Sequence, residues 1–488
     1  MVIEVEKKYN QSVFVCSVPG STLPKDHFVF TVKELIEDFK CEFPCMFEYE
    51  YNGCGRPKKY FEEELLGLVI YGGYNNKNSC RELSDWCLNN DESVMFITNN
   101  KFPSKTVIHR FISDNGLLLD AFFAYTVSYG VDKSLIDGDC VAVDGTYFKA
   151  YANNFRLIKI EEIEFLEDLI KTHGGNFSKN GIWFKLNKYY LKNSNDEEIN
   201  DLITEINSIC NKEAIKLLKI ALNSLEKQDY ILCLLNYLKS NYDGKHTISL
   251  TDPDSRWMMD KEGKTGLNYN YQVATDTKNG MIVAQYLTQN PTDHHELLPM
   301  AYEIINNLEF KPNVIIADNA YIQNTTLEFL YNNGILAIMP DRVQSTHSKG
   351  EFAKANFEFD FDKDVYICPK GEILIRKNDR YQKDKLYKVY STKKCKTCIY
   401  HDKCTKSRVR EILEDAHPLR LKLRKDYLTT EGQKYYKKRA NNGEGPFATI
   451  KTKQKKRSLQ RRGLQNAQKE LTLQSIIHNL KKIHNNIK

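Results

Sequence analysis

The stretch Val141–Ala150, VAVDGTYFKA, decides how the rest of the chain is read. It follows a long helical region and is apolar, β-branched and aromatic, which predicts a strand with an aspartate, Asp144, near its middle. Downstream, strands are expected at Thr247–Leu250, Tyr269–Asp276 and Met281–Thr288, the last two joined by a DTKNG hairpin turn. A helix is expected over Asp293–Asn307. The buried-strand pattern VIIAD (314–318) then precedes a helix over Thr325–Asn333 and the strand pattern ILAIMP (335–340). Strand–helix–strand order of this kind implies an α/β fold, a sheet with both faces covered by helices.

Upstream, residues 1–54 read as an irregular N-terminal segment. Residues 55–130 read as a helical domain: FEEELLGLVIYGG, SCRELSDWCLNN and TVIHRFISDNGLLLDAFFAYTV space apolar residues three and four apart, with Ser79 and Thr106 as caps. The sheet core is assigned to 140–154 and 244–340. Residues 155–243, rich in Lys, Glu and Leu, read as a helical insertion. Residues 341–430 read as a loop-rich insertion with a group of cysteines. Residues 431–488 form a basic helical end. From Lys434 onward, 15 Lys/Arg against Glu444 and Glu470 give +13, although the whole chain (70 Lys+Arg, 64 Asp+Glu) carries only +6.

The 488 residues, 41% hydrophobic and 27% charged, fit a globular protein of about three domains. No apolar run reaches the roughly 18 residues of a membrane span. Leu65–Tyr74 is too short and Asp120 interrupts Leu117–Val127. MVIEVEKKYN has no apolar signal core, so a cytoplasmic protein with no membrane partner is expected. The 13 cysteines, an odd number, then read as thiols or metal ligands rather than a disulfide framework. Neither a glycine–lysine phosphate loop nor a dinucleotide fingerprint is present, which removes support for an ATP-driven motor or a nicotinamide enzyme.

Asp144 and Asp318 each end an apolar strand pattern, and Glu444 is one of only two acids in the basic end. Carboxylates at strand ends converge at one sheet edge, where two or three can bind Mg²⁺ through hard oxygen ligands. Paired ions of this kind promote phosphodiester cleavage. The bland readings are that Asp144–Gly145 forms a hairpin turn, Asp318 merely ends a strand and Glu444 is a solvated charge. Asp252 and Asp254 in TDPDSRWM are expected in a turn with Arg256 pairing locally. Asp293 with Glu296 is expected to be a capping box rather than a metal cluster with His294 and His295. Cys395-x2-Cys398-x5-Cys404, with Cys368 upstream, fits a structural Cys₄ zinc knot, and His401 is a substitute ligand; the alternative is reduced thiols in a surface insertion. Lys453, Lys455, Lys456, Arg457, Arg461 and Arg462 crowd a short segment suited to neutralising DNA phosphates.

The motifs VAVDGTYFKAYANN, TDPDSRWM, GLNYNYQVATDTKNGMIVA, IIADNAY and EGPFATIK occur in this order. The ordered set resembles the DDE transposases of prokaryotic insertion sequences, within the insertion-sequence-four superfamily. Gly55–Ser128, with GRPKKY, SCRELSDW and SKTVIHRF, resembles their N-terminal helical domain. The resemblance implies an RNase-H-like catalytic domain with Asp144, Asp318 and Glu444 as catalytic, metal-holding acids for Mg²⁺ or Mn²⁺. It further implies a Tyr–Arg–Glu–Lys signature matched here by Tyr436, Arg439, Glu444 and Lys451, with Tyr436, Arg439 and Lys451 toward DNA. Four residues separate Arg439 from Glu444, one more than the family pattern has. The implied activity is transposition: binding the terminal inverted repeats of an element, cutting strands and joining 3′-hydroxyls to target DNA, as a homodimer on DNA. Two other readings are an RNase-H-like nuclease that does not join strands, and a non-catalytic DNA-binding protein derived from a transposase.

Overall fold

The computed structural model describes residues 2–5, 13–16, 19–49, 57–89, 91–174, 181–189, 196–242, 244, 247–341, 350–382 and 385–487. Much of the segment expected to be irregular is ordered. Strands β1 (Val2–Val5) and β2 (Val13–Cys16) pair antiparallel, and α1 (Phe28–Glu42) is a helix. Its Phe28, Val29, Val32, Leu35, Ile36 and Phe39 recur at helical spacing and are buried. Cys54 and the start of GRPKKY lie outside the described residues.

Five helices follow: α2 (Glu62–Tyr74), α3 (Cys80–Cys87), α4 (Glu92–Ile97), α5 (Lys105–Asp114) and α6 (Gly116–Asp132). Ser79 caps α3 through a reciprocal capping box with Glu82, whereas α5 begins after Ser104 and Thr106 lies inside it. These helices have no separate core. Leu66, Leu68, Ile70, Leu119 and Phe122 belong to the same continuous cluster as Val141, Val143, Tyr271 and Ile282 of the sheet.

That sheet is mixed. Its strands are β3 (Cys140–Lys149), β6 (Arg256–Met259), β7 (Thr265–Asp276), β8 (Ile282–Thr288), β9 (Val314–Ile316) and β10 (Leu336–Ile338); β4 (Leu157–Ile158) and β5 (Ile248–Ser249) pair separately. The order is β10–β9–β3–β7–β6, with β8 also on β7. β9 and β10 run parallel to β3, while β7 is antiparallel to β3, β6 and β8. Asp144–Gly145 sits in the middle of a ten-residue strand rather than in a turn, which corrects the hairpin alternative. DTKNG does turn β7 into β8.

Between β3 and β6 lie α7 (Ile160–His173), α8 (Ile182–Tyr189), α9 (Glu197–Ile209), α10 (Lys212–Ala221) and α11 (Leu225–Ser240), packed around their own core of Ile163, Leu166, Trp183, Leu218 and Ile231. Two helices, α12 (Leu297–Leu308) and α13 (Asn324–Asn332), bracket β9 in sequence.

The expected loop-rich insertion contains a second antiparallel sheet: β11 (Glu358–Asp360), β12 (Val365–Ile367), β13 (Ile373–Arg376), β14 (Arg380–Gln382), β15 (Lys385–Ser391) and β16 (Glu411–Asp415), with the one-turn helix α14 (His401–Cys404). Its strands are mostly three to five residues long, which explains their weak sequence signal. The chain ends in α15 (Pro418–Leu428), α16 (Thr430–Asn442), α17 (Gly445–Ala448), a π turn over Thr449–Lys453 and α18 (Leu464–Ile487).

Helices cover both faces of the mixed sheet. Cys140, Ala142, Val314, Ile316 and Ile338 meet Tyr427, Tyr435 and Tyr436 of α15 and α16. The alternate residues Val141, Val143 and Ile315 enter the large core, as strand alternation requires. On that side α18 is buried along most of its length. Asn479 brackets β8, accepting from the Ile282 amide and donating to its carbonyl, and His478 bonds Gly280 O. Gly463 and Leu464 amides at the start of α18 donate to Asp252 and Asp254, so those two acids are structural. No helix is long and apolar enough to cross a membrane among the described residues.

Candidate active site

Residues 140, 142 and 144 share one face of β3, and 314, 316 and 318 continue one face of β9. The parallel register pairs Ala142 with Ile316. Two residues further along each chain, Asp144 and Asp318 therefore emerge level with each other on the face covered by α16. Helix α16 carries Arg439 over this edge, and its Nη2 lies 3.3 Å from Asp144 Oδ1 and 3.9 Å from Asp318 Oδ2. Helix α16 ends at Gly443, where an added Cβ would lie 3.5 Å from Asp144 Cβ, and Glu444 follows at once. Glu444 is exposed, and its charge acts on Arg439 together with those of Asp144 and Asp318.

Asp144 is 3% exposed; its Oδ1 accepts the Gly145 amide, while its Oδ2 is buried and accepts no hydrogen bond. Lys261 Nζ stands 3.7 Å from that oxygen. Asp318 Oδ1 accepts the Ala320 amide and caps a 3₁₀ turn. Burial pushes the Asp318 carboxyl pKa up, against the Ala320 hydrogen bond and Arg439; Asp144 and Asp293 add to the rise. Burial works to lower the pKa of Arg439, but Asp144, Tyr436, Asp318 and Glu444 outweigh it. The cation thus neutralises a cluster of acids that would otherwise repel one another.

The donor set fits a hard divalent ion: carboxylate oxygens, one of them buried and without a hydrogen bond, at one sheet edge. As placed, no three His, Cys, Asp or Glu side chains among the described residues are close enough together to hold a metal. Arg439 instead supplies the positive charge between Asp144 and Asp318.

Lys451, in the π turn, donates to Thr146 Oγ1 (2.7 Å) and Tyr147 O (2.9 Å), beside β3. Burial, reinforced by Lys261, pushes its pKa down to about 8. A cleft of about 590 Å³ opens here, lined by Lys149, Lys261, Lys264, Lys451 and Arg457 together with Asp260 and Glu262. Tyr436 is half-buried against Tyr427, and burial raises its phenol pKa.

The expected basic patch divides. Lys455, Arg457 and Arg462 are exposed, as is Lys453. Lys456 and Arg461 are buried and must be corrected. Lys456 pairs with Glu470 of α18, and Arg461 donates to Ser113 Oγ (2.8 Å), tying the segment that precedes α18 to α5. They brace the fold and are not free for phosphates.

Lys261 and Asp293 were missed as site residues. Lys261 lies in a charged β6–β7 hairpin that reads as an ordinary solvated turn. Asp293 is not part of a capping box. Its Oδ1 accepts from Gln272 (2.6 Å) and Asn270 (2.8 Å), while Glu296 is buried against Tyr286, Thr288 and Asn290. A Cβ at Gly145 would come within 2.6 Å of that Asp293 oxygen and 2.4 Å of Gln272 Nε2, so glycine beside Asp144 makes this close packing possible. The only sequence signal for it was the glycine itself.

The four singled-out cysteines, Cys368, Cys395, Cys398 and Cys404, border one small cavity beside the second sheet. His401 also borders it, but its Nδ1 faces Asp402 (3.1 Å) and its Nε2 faces Ser407 O (3.0 Å), which disfavours it as a ligand.

No curated protein and no solved structure matches the chain. Residues 367–484 match a family model described as a transposase DDE domain. The matched segment contains Tyr436, Arg439, Glu444, Lys451 and the four cysteines, whereas Asp144 and Asp318 precede it and are tied to it by the packing of α16 on the sheet. The match supports a DDE transposase.

Proposed function

We propose that this protein is the transposase of an insertion sequence, with an RNase-H-like core. The observation that carries the reading is the convergence of Asp144 and Asp318 under Arg439, with Glu444 entering at the end of the same helix. In this reading Asp144, Asp318 and Glu444 hold Mg²⁺ or Mn²⁺. The bound ions supply Lewis-acid activation of water and charge neutralisation at the leaving oxygen.

The chain's own residues do the rest. The sheet fixes Asp144 and Asp318 at one level, so little reorganisation is needed around a scissile phosphate. Lys451 is anchored to Thr146 and Tyr147 beside the acids and presents its ammonium to a nearby phosphate. Lys261, Lys264 and Arg457 line the adjacent cleft and suit the DNA backbone, giving affinity that falls with salt. The released 3′-hydroxyl would attack target DNA in the same site, and synapsis of two ends calls for a dimer on DNA.

The test is strand cleavage of supercoiled DNA carrying the flanking element ends, with Mg²⁺ or Mn²⁺. Wild type is expected to cut at the ends and join them to target DNA, and Asp144→Ala to do neither. Cleavage without joining would establish the nuclease reading. Tight end binding with no cleavage would leave a non-catalytic DNA-binding protein.

A further inference from the structure

We propose that Cys368, Cys395, Cys398 and Cys404 form a structural zinc site that clamps the Lys393–Cys404 loop onto the β12–β13 hairpin. The inference does not depend on the transposase reading.

Four thiols separated by up to 36 positions in sequence border a single cavity of about 40 Å³, together with Phe357 and Leu374. That is room for about one ion with its ligands drawn in, and too little for an organic ligand. The local backbone is built for thiolates. At CPKG the chain turns back at Gly371, in the left-handed region at φ +85°, and Cys368 Sγ accepts two amide hydrogen bonds, from Lys370 (3.4 Å) and Glu372 (3.3 Å). Two N–H donors aimed at one sulfur are the kind of outer contacts that orient a metal-bound cysteine. CKTC makes the second turn, with the Cys398 amide on Cys395 O at 3.4 Å. Cys404 follows on one turn of helix.

Charge and packing agree. Arg410 borders the same cavity and is suited to offset the net negative charge of four thiolates around one Zn²⁺, whereas Lys370 and Lys394 there are paired with Glu351 and Glu372. The second sheet also lacks much core of its own: Phe357, Tyr366, Leu374, Tyr390 and Ile412 are its buried cluster, with Cys368 and Cys404 packed against it. Small units with so little core are commonly held by disulfides or a metal, and none of these cysteines is in a disulfide. Because no three ligating side chains are close enough as placed, the thiols must draw inward onto the ion.

The experiment is metal analysis of the purified full-length chain, followed by replacement with Co²⁺. About one zinc per chain is expected, with the intense visible bands of a tetrahedral cobalt–thiolate centre. Cys398→Ser should weaken retention at least about tenfold, while His401→Ala and the exposed-thiol control Cys233→Ser should keep the metal. A wild-type chain without zinc and without cobalt–thiolate bands would overturn the site, and this readout stands even if Cys398→Ser does not fold. Loss of metal in Cys233→Ser equal to that in Cys398→Ser would overturn the ligand assignment.

Discussion

Two arginines are surrounded by acids in this protein, and they are held in opposite ways. Arg424 is 3% exposed and its partners close around it: Tyr366 OH at 2.6 Å, Asp341 at 2.5 Å and Glu414 at 2.6 Å, with Glu414 also bonded to Tyr366 and Lys354. Arg439 reaches its acids only at 3.3 and 3.9 Å, beside an Asp144 oxygen with no hydrogen bond and an exposed Glu444. The first cluster is a closed structural network joining α15 to the second sheet. The second is an open one, whose acids retain capacity for another cation. Charge composition alone does not separate a brace from a site; whether short hydrogen bonds already engage the carboxylate oxygens does.

Arg424→Ala strands Glu414 and Asp341 and should cost about 4 kcal/mol of stability, read from the urea midpoint, with no dependence on divalent metal. Loss of less than about 1 kcal/mol would remove the structural role.

His478 extends the closed class to a neutral group. It is fully buried, and burial pushes its pKa down to about 4. The unfolded chain binds the proton near pH 6.5, so stability is fully present above that value and is lost as pH falls toward about 4. Between pH 7 and pH 5 His478 should account for about 2 kcal/mol of lost stability. A His478→Gln chain should lack that component, and an unchanged pH profile in the variant would remove His478 as its source.

The open cluster should respond to metal instead. Arg439→Ala should cost less stability than Arg424→Ala, while enlarging the rise in thermal midpoint on adding Mn²⁺, because the acids lose their resident cation. An Mn²⁺ response equal to that of wild type would show that Arg439 and the metal do not compete. The smallest effect expected is at the cleft. Lys261→Gln should weaken DNA binding a few-fold and lower the slope of log affinity against log salt by about 1. An unchanged slope would take Lys261 off the DNA path.

The sequence carried the sheet and its two aspartates because VAVD and VIIAD are short apolar runs ending in an acid, and strand alternation puts such acids on one face. It carried the insertion helices within 155–243 through their Lys-, Glu- and Leu-rich composition. Helix α1 was periodic but lay among residues read as irregular. The second sheet was hidden because short, lysine-rich strands bury few residues each. Lys456 and Arg461 were misjudged because a run of cations does not reveal that Glu470 and Ser113 wait on neighbouring helices. Glu444 stood out only as an acid in a basic stretch, and the approach of the preceding Gly443 to Asp144 depends on how α16 crosses the sheet.

In the proposed site three carboxylates from distant parts of the chain act together on metal, and Glu444, exposed and last in sequence, tests it most sharply. The decisive measurement is Mn²⁺-dependent cleavage of element-end DNA by Asp144→Asn, Asp318→Asn and Glu444→Gln, with Asp252→Asn as the structural control. Each of the three should lose at least about a thousandfold in rate, about 4 kcal/mol, while soluble Asp252→Asn protein still cuts. Wild-type cleavage by Glu444→Gln would contradict the three-carboxylate site.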